Sequence, residues 1–302
     1  MHHSKASHTL SQTKTMQYKN LIFNILIALL LCTHQSCDII NPAEEIPAYL
    51  TVESFTVGEN PVVDELSFGA NIVSANVLVD GSTVGVVSIP GTIPVFAEGD
   101  VTITLDPLVQ ANGANDILDI YPFWERLDIP VSLIRNDTTR LNPQTRYADN
   151  VVIRGSNFSG SDIFFAEDLD GNTSTAVTNS QTGGQPGEGS VGRIVLTPSD
   201  ALFEAATFTE IDVSTASRVW LEVQYKTDAS LLFGVQRENG DIFREYGVLP
   251  KGTWNTLYYD MRPLLLTQNI EKFKLTLSAA FPAGNSADEA VILIDNIKVV
   301  YL

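Results

Sequence analysis

The sequence predicts an all-β protein built from two β-sandwich domains in tandem. Short runs rich in Val, Ile, Thr and Phe alternate with Gly, Asn, Asp and Pro, which is the pattern of strands separated by turns. No long segment shows the apolar spacing of an amphipathic helix. The 266 residues from Cys37 to Leu302 are enough for two domains of ordinary size.

The chain begins with a segment that has the features of an export signal. Lys19 and Asn20 precede an apolar run from Leu21 to Leu31. A basic residue followed by a short apolar segment is typical of a signal peptide, and a membrane-spanning helix would need about 20 apolar residues. We therefore predict a leader and signal peptide over residues 1–36. Initiation at Met16 instead of Met1 would give that leader a conventional length.

A small residue, Ser36, stands directly before Cys37 at the end of this leader. The placement resembles the lipobox of bacterial lipoproteins, whose cysteine is acylated on sulfur and becomes the mature N-terminus. His34 and Gln35 depart from the residues usual there, and an ordinary cleaved signal peptide is the alternative. The resemblance implies a lipidated Cys37, a lipid bilayer as partner, and a tether over residues 37–47. The expected location is the outer membrane, with the periplasmic and extracellular faces both open.

Composition excludes several chemistries from the mature chain. All four histidines precede Cys37, which is also the only cysteine left after the leader. A Ser-His-Asp triad, a Cys-His pair, imidazole zinc sites and disulfides are therefore excluded. Without the three lysines of the leader, 15 basic and 36 acidic residues remain, a net charge of −21. Such a charge disfavours nucleic acid as a partner, whereas neutral glycans and divalent cations stay compatible.

The first domain is predicted over residues 48–148. Asp80-Gly81 between two apolar runs is a strong hairpin signal. The segment Val77–Leu105, with Val-Leu-Val-Asp-Gly-Ser-Thr-Val-Gly at its start, resembles the small Ig-like surface sandwiches called PEGA or carboxypeptidase-regulatory-like domains. The predicted strands are Tyr49–Val57, Ile72–Val79, Thr83–Ile89, Val101–Leu105 and Pro130–Arg135. The aromatic cluster Tyr121-Pro122-Phe123-Trp124 is interpreted as core packing.

The second domain is predicted over residues 149–302, as a jelly roll of antiparallel strands joined by short turns. The predicted strands are Arg193–Thr197, Arg218–Lys226, Leu231–Arg237, Ile242–Val248, Trp254–Asp260, Lys272–Leu277 and Val291–Tyr301. Between Gly171 and Gly192 lies a polar stretch with no aromatic residue and one charge, Glu188. So long a polar loop without a hydrophobic anchor predicts disorder.

The end of the chain carries a second resemblance. Val-Ile-Leu-Ile-Asp-Asn-Ile-Lys-Val-Val, preceded by Gly252-Thr253-Trp254, resembles the galactose-binding-like jelly rolls of carbohydrate-binding modules. With Cys37-Asp38 and the segment Ile46–Leu50, the whole arrangement is similar to uncharacterised cell-surface lipoproteins of the Bacteroidota. That similarity implies a location and an architecture, and it implies no established ligand.

A structural calcium ion is the one cofactor that the resemblance implies. Strand alternation places Asp295 on the face of Val291, Leu293, Ile297, Val299 and Tyr301, which we predict to be buried. In the resembling modules this aspartate helps to hold Ca²⁺ together with an acidic residue near the first strand. Glu167 or Asp168 is the matching candidate, and oxygen ligands suit calcium. The alternative is a carboxylate held by backbone hydrogen bonds or by an arginine such as Arg154.

Three aromatic residues form a candidate glycan platform. In Arg218–Lys226 the apolar face holds Val219, Leu221, Val223 and Tyr225, which leaves Trp220 on the polar face. The same alternation places Trp254 and Tyr258 opposite Leu257, Tyr259 and Met261. Aromatic rings on a polar sheet face are suited to stacking on sugars. The alternative is that loops cover these rings, or that Trp254 caps the core.

These features favour a non-catalytic binding module on a lipid-anchored cell-surface protein, with glycan as the expected ligand. A structural or accessory subunit of an outer-membrane assembly is the alternative from a different class. A carboxylate-based glycosidase is a third alternative, because two acidic residues suffice for that reaction. However, the Glu-x-Asp-x-x-Glu motif of jelly-roll glucanases, the Gly-x-Ser-x-Gly elbow, phosphate loops and dinucleotide fingerprints are all absent from the sequence.

Overall fold

A computed structural model describes Phe23, Ile27 and residues 44–61, 70–112, 117–160, 164–184, 189–284 and 287–302. Cys37 and most of the predicted leader and tether lie outside the described residues. Within the described part the regular secondary structure is almost entirely β-strand, which confirms the predicted all-β class. None of the described helices has the length and apolarity needed to cross a bilayer.

The first sandwich is built from ten strands. A five-stranded sheet has the order β4-β3-β6, with β7 and β8 both pairing with the long strand β6. The order β5-β1-β9 forms a three-stranded sheet, and β2 pairs with β10 in parallel. The strands are β1 Ala48–Val52, β2 Thr56–Val57, β3 Ser74–Val79, β4 Ser82–Ser88, β5 Gly91–Val95, β6 Gly99–Gln110, β7 Leu118–Ile120, β8 Leu127–Leu133, β9 Thr138–Leu141 and β10 Gln144–Thr145.

The predicted hairpin at Asp80-Gly81 is confirmed. It joins β3 to β4, and both turn residues have positive φ angles, 47° and 80°. A turn with two positive φ angles matches the right-handed twist of the strands that it connects. Leu50, Val77 and Ile103, from three different strands, are fully buried in the core between the sheets.

The second sandwich consists of two facing six-stranded sheets. The inner sheet has the order β13-β14-β22-β17-β20, with β11 also paired with β22. The outer sheet has the order β12-β15-β21-β18-β19, with β16 also paired with β21. The strands are β11 Val152–Ser156, β12 Glu167–Asp168, β13 Thr178–Ser180, β14 Val191–Leu196, β15 Leu202–Ala206, β16 Ile211–Asp212, β17 Val219–Thr227, β18 Leu231–Gln236, β19 Ile242–Val248, β20 Lys251–Asp260, β21 Lys272–Ala280 and β22 Ala290–Tyr301. One α-helix, α1 (Arg262–Thr267), follows β20, and a 3-10 turn spans Thr173–Thr175.

The predicted alternation along β22 is wrong in its first half. Ile292 and Ile294 lie in the core between the two sheets, as do Ile297 and Val299. The two pairs can share one face because Asn296, with a φ of 44°, lies at a β-bulge where the pairing to β17 shifts register. An extra residue in one strand reverses the facing of the residues beyond it. Val291, Leu293 and Asp295 therefore point away from that core.

The prediction of disorder between Gly171 and Gly192 is wrong for residues 171–184 and 189–192. The Asn172 side chain caps the 3-10 turn by accepting from Ser174 N, and β13 pairs with β14. Val177 and Thr175 are buried and anchor the segment to the second sandwich. Two small side chains are thus enough to order this polar segment, and residues 185–188 lie outside the described part.

A third core, the interdomain core, joins the two sandwiches. Among described strands, ladder pairing never joins β1–β10 to β11–β22, and a single isolated bridge links Ala111 to Tyr258. The sandwiches nevertheless pack so closely that Pro47–Leu302 forms one compact unit. The buried side chains of the interdomain core are Val109, Ala111, Tyr121, Phe123, Trp124 and Tyr147 from the first sandwich side, and Val151, Ile153, Trp220, Tyr258 and Val300 from the other. The interpretation of Tyr121-Pro122-Phe123-Trp124 as core packing is thus confirmed.

A buried ion pair lies next to this core. Lys298 Nζ is 3.3 Å from Glu222 Oε2, and the two side chains are only 1% and 2% exposed. The first sandwich supplies hydrogen bonds to the pair. Tyr121 and Tyr147 both donate their hydroxyls to Glu222 Oε1, the second at 2.8 Å. Lys298 Nζ in turn donates to the Tyr147 hydroxyl at 3.2 Å.

The ion pair should be sensitive to the loss of either partner. Glu222→Ala leaves the Lys298 ammonium buried without its carboxylate, and we expect a loss of about 3–5 kcal/mol in the free energy of unfolding. The matched control is Glu53→Ala, which breaks an exposed ion pair with Arg140 and should change that free energy by at most ~1 kcal/mol. Urea unfolding measures both. Equal effects of the two substitutions would contradict the described burial.

Candidate functional site

Two residues of the predicted glycan platform are not at the surface. Trp220 is 2% exposed and Tyr258 is 1% exposed, because the first sandwich covers this face of the inner sheet. The alternation that separated Trp220 from the apolar face of β17 is confirmed, since Val219, Leu221, Val223 and Tyr225 lie in the core of the second sandwich. The predicted platform is therefore corrected: a sugar in solvent has no access to these two rings.

Trp254, the third member, lies apart from them near the start of β20. It is partly exposed, and its Nε1 donates to the Gly183 carbonyl at 3.3 Å. Gly183 has a φ of 91°, and a Cβ there would lie 2.7 Å from the side chain of Leu293, so the loop after β13 passes closely over this end of the sheet. Four residues of strand separate Trp254 from Tyr258, about 13 Å. The three aromatics do not form a common surface.

The predicted calcium ligands are also not brought together. Glu167 and Asp168 form β12 at the edge of the outer sheet, whereas Asp295 belongs to the inner sheet. Glu167 pairs with Lys274, and Asp295 Oδ1 accepts from Asn296 N at 2.7 Å. In the described part of the chain no three acidic, histidine or cysteine side chains are grouped as a metal site would require. The residues present do not fit the predicted ion.

Asp168 instead lines a small acidic pocket of about 200 Å³, together with Asp170 and Glu204. Its carboxylates are used by the protein itself. Asp168 Oδ1 accepts from the backbone N–H groups of Asp170 and Gly171, and Asp170 Oδ2 accepts from Glu204 N at 2.6 Å. The Glu204 carboxylate pairs with Arg244. Asp168 and Asp170 thus stabilise a turn, and Glu204 forms an ion pair. These roles explain the three acidic residues, so no bound ligand is needed to account for them.

A larger open pocket, the edge pocket, lies beside β11 and the connection from β15 to β16. Its volume is about 680 Å³. Phe208 in that connection is 76% exposed, and Phe164 is half-buried against the core of the second sandwich. Arg154 on β11 and Glu210 before β16 also line it, and both are exposed.

The edge pocket combines the groups that recognise a polyhydroxylated ligand. The Phe208 ring offers a flat apolar surface to solvent. Arg154 uses Nη1 to donate to the Ile153 carbonyl at 3.0 Å, and its fork carries further N–H donors. Glu210 supplies carboxylate acceptors. Donors, acceptors and an aromatic ring thus line one concave surface, as in small-molecule sites generally.

Sequence reasoning missed this pocket. Phe208 lies in Thr207-Phe208-Thr209, where alternation with threonine resembles an ordinary strand. The exposure of Phe208 follows from the connection between two strands of the outer sheet, which the sequence pattern does not reveal. Arg154 was considered only as a partner of Asp295, and the structure places it on β11 opposite Val299 instead.

Comparisons with known proteins give distant structural similarities. No protein-family model and no curated protein matches the chain. An exo-β-agarase structure matches with a TM-score of 0.36 at 13% identity, over 48% of this chain and 24% of that one. A family 61 carbohydrate-binding module in complex with β-1,4-galactotriose matches with 0.29 at 14%, over 43% and 83%. A family 29 carbohydrate-binding module variant matches with 0.33 at 11%, over 50% and 85%. The match thus spans about a quarter of the agarase, and similarity at this level assigns no ligand to this chain.

Burial raises the pKa of Tyr121, Tyr147 and Tyr258 well above the ordinary tyrosine value, and the nearby Glu222 carboxylate adds to each shift. The folded protein therefore keeps protons that the unfolded chain releases above about pH 10. Stability from these groups is fully present below that pH and is lost as pH rises towards the folded-state pKa values.

We expect the free energy of unfolding to fall steeply above about pH 10, with these three phenols ionising only as the protein unfolds. Tyrosinate absorbance, recorded alongside circular dichroism, measures both events. A variant with Phe at all three positions should lose stability less steeply over the same range. Parallel pH profiles for the two proteins would show that the three phenols are not buried as described.

Proposed function

We propose that this protein is a lipid-anchored, non-catalytic glycan-binding module that acts at the outer membrane. The observation that carries the binding role is the edge pocket, where the exposed Phe208 ring lies with Arg154 and Glu210 on one concave surface. Sugar rings present C–H faces that pack on aromatic rings and hydroxyls that both donate and accept hydrogen bonds. The pocket provides a counterpart for each of these features.

The composition of the edge pocket supports binding without catalysis. Glu210 is the sole carboxylate among its described lining residues, whereas a glycosidase of the usual kind uses two. The small acidic pocket has several carboxylates, but they accept hydrogen bonds from the backbone or pair with Arg244. Neither pocket offers the pair of available carboxyl groups that hydrolysis requires.

The proposed anchor is an acylated Cys37, because Ser36-Cys37 follows the apolar run of the leader. Several acyl chains on one residue give stable attachment, since each buried methylene contributes about 0.8 kcal/mol.

We expect the mature chain from membranes to begin at an acylated Cys37. Intact-mass and peptide mass spectrometry measure the added mass, and Cys37→Ser should move the protein from the membrane fraction to the soluble fraction. Cys32→Ser, the matched control, should leave it membrane-bound. An unmodified N-terminus on freely secreted protein would exclude the anchor.

The edge pocket is tested by Phe208→Ala. A glycan array identifies a ligand, and isothermal titration then compares variants for that ligand. Removing the ring should weaken binding about tenfold or more, because burying a Phe side chain contributes about 1.5–3 kcal/mol. The melting temperature should stay close to that of the unchanged protein, since Phe208 is exposed.

Two further variants decide where the glycan binds. Leu249→Ala removes an equally exposed apolar side chain, 77% exposed in the connection after β19, and should not affect affinity. Trp254→Ala tests the remaining member of the aromatic platform. Loss of binding in Trp254→Ala with retention in Phe208→Ala would move the site away from the edge pocket, and no signal on the array would exclude the glycan role.

One observation favours the alternative, an accessory subunit of a membrane assembly. Ile117, Leu118 and Ile120, at the short strand β7 beside β6, are exposed. An exposed apolar edge strand is a common place for another chain to pair. Reproducible co-purification with a membrane complex that Leu118→Asp abolishes, with no glycan signal, would establish this alternative.

A further inference from the structure

The end of the first sandwich where the described unit begins carries two large apolar side chains in solvent. Phe96 is 67% exposed and Ile134 is 60% exposed. Phe96 directly follows β5, whose last residue pairs with Ala48 at the start of β1. Ile134 follows β8, and the turn after it is fixed to the same place, because Asn136 N donates to the Pro47 carbonyl at 2.9 Å. Both side chains therefore lie beside the entry of the chain at Pro47.

One ion pair joins the two loops that carry these residues. Arg135 Nε lies 2.9 Å from Glu98 Oε2, so an ion pair joins the loop after β5 to the loop after β8. The Arg135 and Glu98 side chains are both more than half exposed. We call Phe96, Ile134 and this ion pair the entry tip.

We propose that the entry tip lies against the surface of the lipid bilayer that holds the protein. This inference rests on the proposed lipid anchor. Ten residues lead from Cys37 to Pro47, and an extended chain spans at most about 3.3–3.6 Å per residue, so an anchored Cys37 keeps Pro47 within about 35 Å of the acyl chains. The tether thus keeps the end of the first sandwich that carries Phe96 and Ile134 near the bilayer surface.

The chemistry of the entry tip suits a shallow position in the interface. Apolar side chains at a peripheral membrane surface insert about 5–10 Å, at the boundary between headgroups and acyl chains. Burying a Phe or Ile side chain completely contributes about 1.5–3 kcal/mol, which is too little to hold the protein alone but enough to orient a protein that is already tethered. Zwitterionic lipid is the expected surface, since the acidic protein gains nothing from anionic headgroups.

Site-specific labelling of the full lipoprotein tests this orientation. The acylated Cys37 is the only cysteine of the mature chain, so Phe96→Cys or Ile134→Cys gives one reactive thiol for an environment-sensitive dye. Leu249→Cys is the matched control, an exposed apolar position in the second sandwich. Each labelled protein is reconstituted into phosphatidylcholine vesicles, with or without lipids brominated near the headgroup.

The dye at Phe96 or Ile134 should emit at shorter wavelength on reconstitution and be quenched by brominated lipid at least about twofold, as insertion to the interface requires, while the dye at Leu249 should change little. If the proteins float with the vesicles but all three dyes behave alike, the entry tip does not contact lipid and the inference fails. If the proteins do not float with the vesicles, the anchor itself fails.

Discussion

The buried ion pair between Glu222 and Lys298 is the constraint on which the architecture depends. Both residues extend from the face of the inner sheet that looks away from the core of the second sandwich. A charged pair removed from water loses hydration that only good geometry and further hydrogen bonds can offset. Tyr121 and Tyr147 supply those bonds from the first sandwich. The polar face of one sandwich is therefore satisfied by the other sandwich.

Aromatic residues around the ion pair also join the two sandwiches. Tyr121 packs edge-on against Trp220 and Tyr258, with ring centroids 5.4 Å and 5.3 Å apart. The backbone closes the same junction, since Asn112 N donates to the Tyr258 carbonyl at 2.7 Å and Asn71 N donates to its hydroxyl at 2.8 Å. Packed rings, backbone bonds and a charge pair together fix the relative position of the sandwiches. An entry tip on the first domain and an edge pocket on the second are then held at a constant separation.

The sequence predicts which residues share a strand face better than it predicts what covers that face. The alternation in β17 identified both of its faces, and only the exposure of Trp220 was wrong. Period-2 alternation is a local property of one strand, whereas burial of its polar face comes from a domain that is distant in sequence. The sequence does not reveal that Glu222 and Lys298 form a buried ion pair, because their hydrogen-bond partners Tyr121 and Tyr147 lie in the other sandwich.

Two further failures have local causes. Alternation along β22 breaks at Asn296, where a single bulge residue reverses the facing of everything before it. Strict alternation therefore predicted Asp295 on the core face of Ile297 and Val299, whereas the bulge turns it to the opposite face. The polar segment after Gly171 lacked large apolar residues, yet Val177 and turns closed by Asn172 and Asp170 are enough to order it. The site residues Phe208 and Arg154 come together only because the connection between two strands of the outer sheet lies beside β11 of the inner sheet.

Differential scanning calorimetry of the purified protein tests most directly whether the two sandwiches are one cooperative unit. The buried pair and the interdomain core predict a single transition, with a calorimetric enthalpy of unfolding equal to the van't Hoff enthalpy. Two resolved transitions, or a calorimetric enthalpy about twice the van't Hoff value, would show that the sandwiches unfold independently. That result would contradict the account.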